Sequence, residues 1–252
     1  MVTFVEQVSA LETRVDDLAA FVHAFADNLE QPVFSAEESG FRYTAPGARH
    51  FCLLRCVRIV SGMYASMALC RAGFTQEIAV VLRTALEFCS QIEYVLASLD
   101  SDLHPQGKAA EFVADFFRDS WIAREENEKR IKLHQHEVHD AVGKSLEETI
   151  GRDAGEIPMS RLMSRSYMSF SSYVHGRYVE CMDLYGGRPG NFHLFGMRNT
   201  PKDDENLAVL DTLMVTAEQC FVSLVQKLQM WELLDNCREL AIWYKRILRE
   251  AK

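Results

Sequence analysis

The segment from Thr75 to Leu99, TQEIAVVLRTALEFCSQIEYVLASL, constrains the fold of this chain most strongly, because it is apolar almost all round a helical circumference. Such a helix is stable in water only when neighbours cover it on several sides, so it predicts the central element of a multi-helix bundle. Its few polar positions then require partners inside the protein.

The other segments supply the neighbours. Phe4, Val8, Leu11, Val15, Leu18, Val22, Phe25 and Leu29 alternate steps of four and three, a heptad seam that predicts a long helix over residues 1–30. Val5, Ala19 and Ala26 widen that stripe and the flanking sites carry few charges, which favours packing inside a bundle over a free-standing coiled coil. After the loop QPVFSAEESGFRYTAPG, a helix from about Ala48 to Arg71 stops at Gly73 and Thr75 caps the next, so residues 48–99 form a central helical hairpin.

Beyond the linker DSDLHPQG, Lys108 to Ile150 reads as one long helix. Its first third, FVADFFRDSWI, is apolar, and its middle, REENEKRIKLHQHEVHD, is polar, solvated or packed against a second subunit. GRDAGEIP breaks the chain, a Ser/His helix spans 159–185, and YGGRPGNFHLFGMRNTPKDD is the longest irregular connection. A final helical stretch, kinked near Asn236 or straight, runs from about Glu205 to Ala251. No period-two alternation persists, so the expected fold is all-α: a single domain over 1–252, built as a bundle of about seven helices.

With 48% hydrophobic residues in 252, the chain has the material for a sizeable core. A net charge of -9 argues against a broad DNA-binding face or an anionic membrane surface as partner. The seven cysteines (52, 56, 70, 89, 181, 220, 237) lie mostly in apolar segments, with no CxxC pair and no signal-peptide pattern before them, which predicts reduced thiols in a cytoplasmic protein. Charged or amide residues break the longest apolar stretches, so no transmembrane segment is expected.

Several motifs fail on chemistry. GGRPGN lacks the strand, helix and lysine of a phosphate cradle. HQHEVH offers His134, His136 and His139, but His134 points away from the other two on a helix and no HExxH frame accompanies them, so a solvated face is expected. There is no Glu-x-x-His for a di-iron centre and no G-x-S-x-G elbow. No metal and no cofactor are expected.

A polar cluster remains. Arg83, Glu87, Ser90 and Tyr94 follow at spacings of four, three and four and form one ridge on the central helix, where Arg83 and Glu87 can pair. In SYMSFSSYVHGRYVE, residues Tyr167, Phe170, Val174, Tyr178 and Cys181 form an apolar stripe with Ser171 and His175 on its shoulder. The expectation is one network of Arg83, Glu87, Ser171 and His175, flanked by Tyr167, with Gly176 admitting a partner helix closely. It would be either a ligand-binding or catalytic site, or an ion pair that fixes helix register.

At VLRTALEF (81–88) and SSYVHG (171–176) the chain resembles a group of bacterial helical proteins similar to the HEPN-like superfamily, which overlaps with abortive-infection and other phage-defence proteins. The resemblance implies an accessory or interaction component of a stress or defence system, a homodimer through a long helix, and RNA or a protein as partner. Active HEPN ribonucleases use Arg-x(4–6)-His without metal. RPGNFH (Arg188, His193) and RIKLHQH (Arg130, His136) fit that spacing, whereas His175 follows Arg165 by a longer gap. A nuclease of that type would use His193 or His175 as general acid or base and Arg188 to stabilise the transition state. Small-molecule sensing inside the bundle is the third expectation.

Overall fold

A computed structural model of the chain describes residues 3–37, 39–118, 131, 133–150, 158–237 and 240–242. The order of elements is α1 (Phe4–Asp27), β1 (Val33–Ser35), β2 (Gly40–Arg42), α2 (Ala48–Ala72), α3 (Thr75–Ala97), α4 (Gly107–Phe117), α5 (Gln135–Ile150), α6 (Met159–Val174), α7 (Tyr178–Met182), α8 (Lys202–Leu228) and a 3-10 turn (Trp231–Asn236). The architecture is an all-α bundle with one small hairpin in which Phe34 pairs with Phe41.

α3 is the central helix, packed against α2, α8, α5, α6 and α4. Its buried positions Ile78, Leu82, Ala85, Cys89, Ile92 and Val95 follow helical spacing and join a core that runs through α1, α2 and α8. The α1 seam is buried in the same chain: Val8, Leu11, Val15, Leu18, Phe21, Val22 and Phe25 face inward, and Phe21 stacks on Phe221 of α8 at 5.1 Å. Thr3 and Glu6 start α1 with a reciprocal capping box, Glu6 N–H donating to Thr3 Oγ1 at 3.2 Å and Thr3 N–H to the Glu6 carboxylate at 2.7 Å. Arg14 clamps α1 to α8 through a two-pronged pair with the buried Glu218, at 2.9 and 2.7 Å.

Gly73 ends α2 at φ 80, with the Gly73 amide on the Cys70 carbonyl and the Phe74 amide on Leu69. A Cβ there would lie 2.6 Å from the Arg198 amide, because the long connection after α7 packs into this turn and Met197 N–H donates to the Gly73 carbonyl. Thr75 is the first residue of α3 and does not cap it; its hydroxyl accepts from Asn206 of α8 at 3.1 Å.

The long-helix expectation over 108–150 is corrected. α4 stops at Phe117, and Ile131, Leu133 and His134 are not helical; residues 119–130 and 132 lie outside the described residues. The Ile131 amide donates to Asp115 of α4, and Lys108 pairs with Glu137, so α5 starts beside α4 instead of extending from it. The 159–185 helix is two helices, since Gly176 at φ 54 closes a Schellman motif, with Gly176 N–H on the Tyr173 carbonyl and Arg177 N–H on Ser172. Gly176 is therefore a helix stop, and what lies against it is the start of the next helix: Cys181 Sγ of α7 is 3.7 Å from an added Cβ.

The final stretch is interrupted: α8 closes at Leu228 on Gln229 in the left-handed conformation, a 3-10 turn ends at Asn236, residues 240–242 are helical again, and 243–252 lie outside the described residues. α2 and α8 each hold an eighteen-residue window with mean hydropathy of 1.4 and 1.5, long and apolar enough by composition to cross a membrane, and 44% and 56% of those windows are buried in the protein. The charges that interrupt them do not shorten them enough to fail that test.

Candidate functional site

The outer face of α3 carries the polar ridge. Arg83 Nη1 lies 3.3 Å from the Glu87 carboxylate, Arg83 donates a second bond to the Tyr167 hydroxyl of α6, and its guanidinium sits 4.7 Å over the Tyr167 ring. Gln91 approaches the other Glu87 oxygen at 3.5 Å. Glu87 also lies in the field of Arg55 from α2, whose guanidinium is enclosed by Phe51, Phe88 and Phe116 at 4.7–5.0 Å. Burial in that aromatic cage lowers the Arg55 pKa to about 10, with Glu87 opposing. One carboxylate thus serves two arginines.

Arg83, Glu87 and Tyr167 are brought together, but His175 is not. His175 is the C-cap of α6, exposed, and its amide donates to the Ser171 carbonyl; Ser171 is half-buried. The six residues after Val174 therefore do not extend the α6 face toward Arg83. Arg188 is exposed in the turn between Tyr185 and Phe192, which bridge each other, and His193 follows with its amide on the Leu184 carbonyl. Among the described residues no hydrogen bond, ion pair or ring contact links the side chains of His175, Arg188 and His193. Arg130 of the RIKLHQH match lies outside the described residues.

One turn along α3 from Glu87, the helices open into a cavity of about 230 Å3 enclosed by α3, α5, α6 and α8. Leu86, Val142, Leu162 and Met163 form its apolar wall, and Ser90, Glu93, His139, Tyr167 and Gln219 bring polar groups to it. Cys89, His139, Val142 and Cys220 are buried and make its floor; Ser166 and Gln219 are exposed and mark its mouth. The volume falls below the roughly 300–1,000 Å3 of drug-sized sites, so it suits a compact molecule.

Two groups in this cavity are tuned toward neutrality. Burial pushes the Glu93 carboxyl up to about 7, while the Ser223 hydroxyl and Lys227 of α8 pull it back in part. Burial lowers the His139 pKa, with Asp140 opposing. His139 Nδ1 is 2.9 Å from Ser164 Oγ and its ring meets Tyr167 edge-on at 5.7 Å, an arrangement that fixes the imidazole between α5 and α6. Among the described residues no three His, Cys, Asp or Glu side chains converge on a metal position.

The sequence reading missed Glu93 and His139. Glu93 follows Ser90 by three and so continues the ridge already identified; His139 precedes Val142 by three and Gly143 by four, which places it on the buried stripe of α5. The solvated-face expectation for HQHEVH holds for His134 and His136, which are not buried and stack at 5.6 Å, and fails for His139, which is 3% exposed. Scans against protein-family models, curated proteins and solved structures give no match to this chain.

Proposed function

We propose that this chain is a helical small-molecule-binding protein, with the cavity between α3, α5, α6 and α8 as its site. The observation that carries the reading is the combination of an apolar wall with a few convergent polar groups, two of them held near neutrality by burial. The Arg83, Glu87 and Tyr167 network braces the α3–α6 side of that cavity. The test is a thermal-shift screen of a compound library of metabolite size against the unsubstituted chain and Ser166→Trp, which narrows the mouth at an exposed position. Compounds that raise the melting temperature of the first and not the second support the reading; a screen with no such compound contradicts it.

A second reading, an accessory or interaction protein of a bacterial stress or phage-defence system, follows from the HEPN-like resemblance and carries with it a cytoplasmic location and a homodimer. What favours it is the exposed apolar surface of α7 and the following loop, where Tyr178, Val179, Leu194 and Phe195 stand 69–92% exposed. Light scattering of the unsubstituted chain beside Tyr178→Ser/Phe195→Ser tests it. Loss of a larger species in the variant supports it, and a monomer in both contradicts self-association.

A further inference from the structure

Among the described residues Glu93 is the one carboxyl lining the cavity, and no Lys, Arg or Asp lines it with it. Of the basic groups nearby, Arg83 is committed to Glu87 and Tyr167, and Lys227 of α8, which acts on Glu93 through its field, is exposed and makes no ion pair with it. The titratable groups that face Glu93 are Cys52 from α2, Cys220 and the exposed Lys227 from α8, and, across the cavity, His139 of α5 and Tyr167 of α6. From α4, Lys108 pairs with Glu137 of α5 beside Tyr94, one residue along α3. Among the described residues an ionised Glu93 therefore has the Ser223 hydroxyl and the more distant Lys227 but no ion-pair partner, and a largely buried charge without one is unfavourable.

Resting on the ligand-binding reading above, we propose that the ligand is a small organic amine, its ammonium paired with the Glu93 carboxylate and its hydrocarbon body against Leu86, Val142, Leu162 and Met163. The ammonium supplies the missing counter-charge, and Ser90 and Gln219 are available for its remaining N–H donors. His139, neutral because of its burial, adds no competing positive charge. Pairing requires the ionised carboxylate. Glu93 gives up its proton when the amine binds at low pH, so affinity rises with pH and levels off once Glu93 is ionised in the free protein.

The experiment is isothermal titration of the full chain with cyclohexylamine, cyclohexanol and cyclohexanecarboxylate at pH 6 and pH 8. The amine binds tighter than the alcohol, the carboxylate binds weakest, and amine affinity is about tenfold higher at pH 8, the ratio expected for a group titrating near 7. Repeating the pH 6 titration in buffers of different ionisation heat shows release of close to one proton per amine. Glu93→Gln keeps the shape of the protonated acid and loses both the amine preference and the pH dependence. Cyclohexanol binding as tightly as the amine, or amine affinity flat with pH, overturns the amine assignment while leaving the cavity as a ligand site. The wild-type pH profile decides the matter even if the variant does not fold.

Discussion

Replacing Glu93 by Gln should stabilise the protein, and by an amount that depends on pH. In the unfolded chain Glu93 ionises at its ordinary value near 4.5, and in the folded protein burial holds the proton up to about 7. Between those values the native state binds more protons than the unfolded state, so stability falls as pH rises, the reverse of a salt-bridged carboxylate. Each pH unit in that interval is worth about 1.4 kcal/mol, so the cost of ionising Glu93 reaches about 3 kcal/mol by pH 8. Glu93→Gln cannot ionise and does not incur it. Urea unfolding of both proteins at half-unit steps from pH 4.5 to 8 should give a stability difference near zero at the acid end that grows to about 3 kcal/mol in favour of the variant. His139 titrates in both proteins and cancels in the difference. A difference that stays flat across the range would refute the burial of this carboxyl.

Arg14→Met leaves Glu218, 3% exposed, without its counter-charge in the α1–α8 interface; urea unfolding should show a loss of about 2–4 kcal/mol, and Arg14→Met/Glu218→Gln should recover part of it. Gly143→Ala puts a Cβ 2.6 Å from the Ser160 amide where α5 crosses α6, so overpacking of about 1–3 kcal/mol should outweigh the gain in helix propensity and lower the melting temperature followed by circular dichroism. Of the seven cysteines Cys181 alone is exposed, and burial raises the pKa of Cys52, Cys56, Cys70 and Cys237. Iodoacetamide at pH 7.5 should add one label to the folded chain by mass spectrometry; several labels at equal rates would contradict the packing around the other six.

The helices of this bundle were legible wherever periodicity alone decides them. The α1 seam and the near-complete apolar surface of Thr75–Leu99 led directly to an inward-facing first helix and a central third one, because a helix must hide its apolar stripe. Periodicity says nothing of where a polar run turns back, which is why α4 and α5 read as one helix: Ile131 bonding to Asp115 and Lys108 to Glu137 are tertiary events. The same holds for α8, whose stop at Gln229 requires a left-handed non-glycine residue that no propensity argument anticipates. The hairpin at Val33–Ser35 and Gly40–Arg42 is too short to leave a readable alternation.

In the polar cluster, the Arg83–Glu87 pair is legible from spacing, since i,i+4 partners on one helix meet whatever the fold, whereas the Arg83–Tyr167 contact depends on how α6 packs against α3. His175 does not join the cluster because VHG reads equally as a helix interior and as a helix end, and the Schellman bonds at Gly176 choose the end. Glu93 and His139 carried signals at the same spacings, yet their meaning depends on which helices face them. Only the packing of α5 and α6 onto α3 turns two ordinary titratable residues into the walls of one cavity.

The most direct test of the central claim, that the cavity between α3, α5, α6 and α8 holds a small molecule, is methyl NMR of 13C-methionine-labelled protein with the compound giving the largest shift in the library screen. Met163 lines the cavity, whereas Met168 and Met182 lie at the surface. Saturable movement of the Met163 methyl resonance, with Met168 and Met182 unmoved, is the predicted result. Movement of Met168 or Met182 with Met163 unchanged would place binding on the surface and contradict the account.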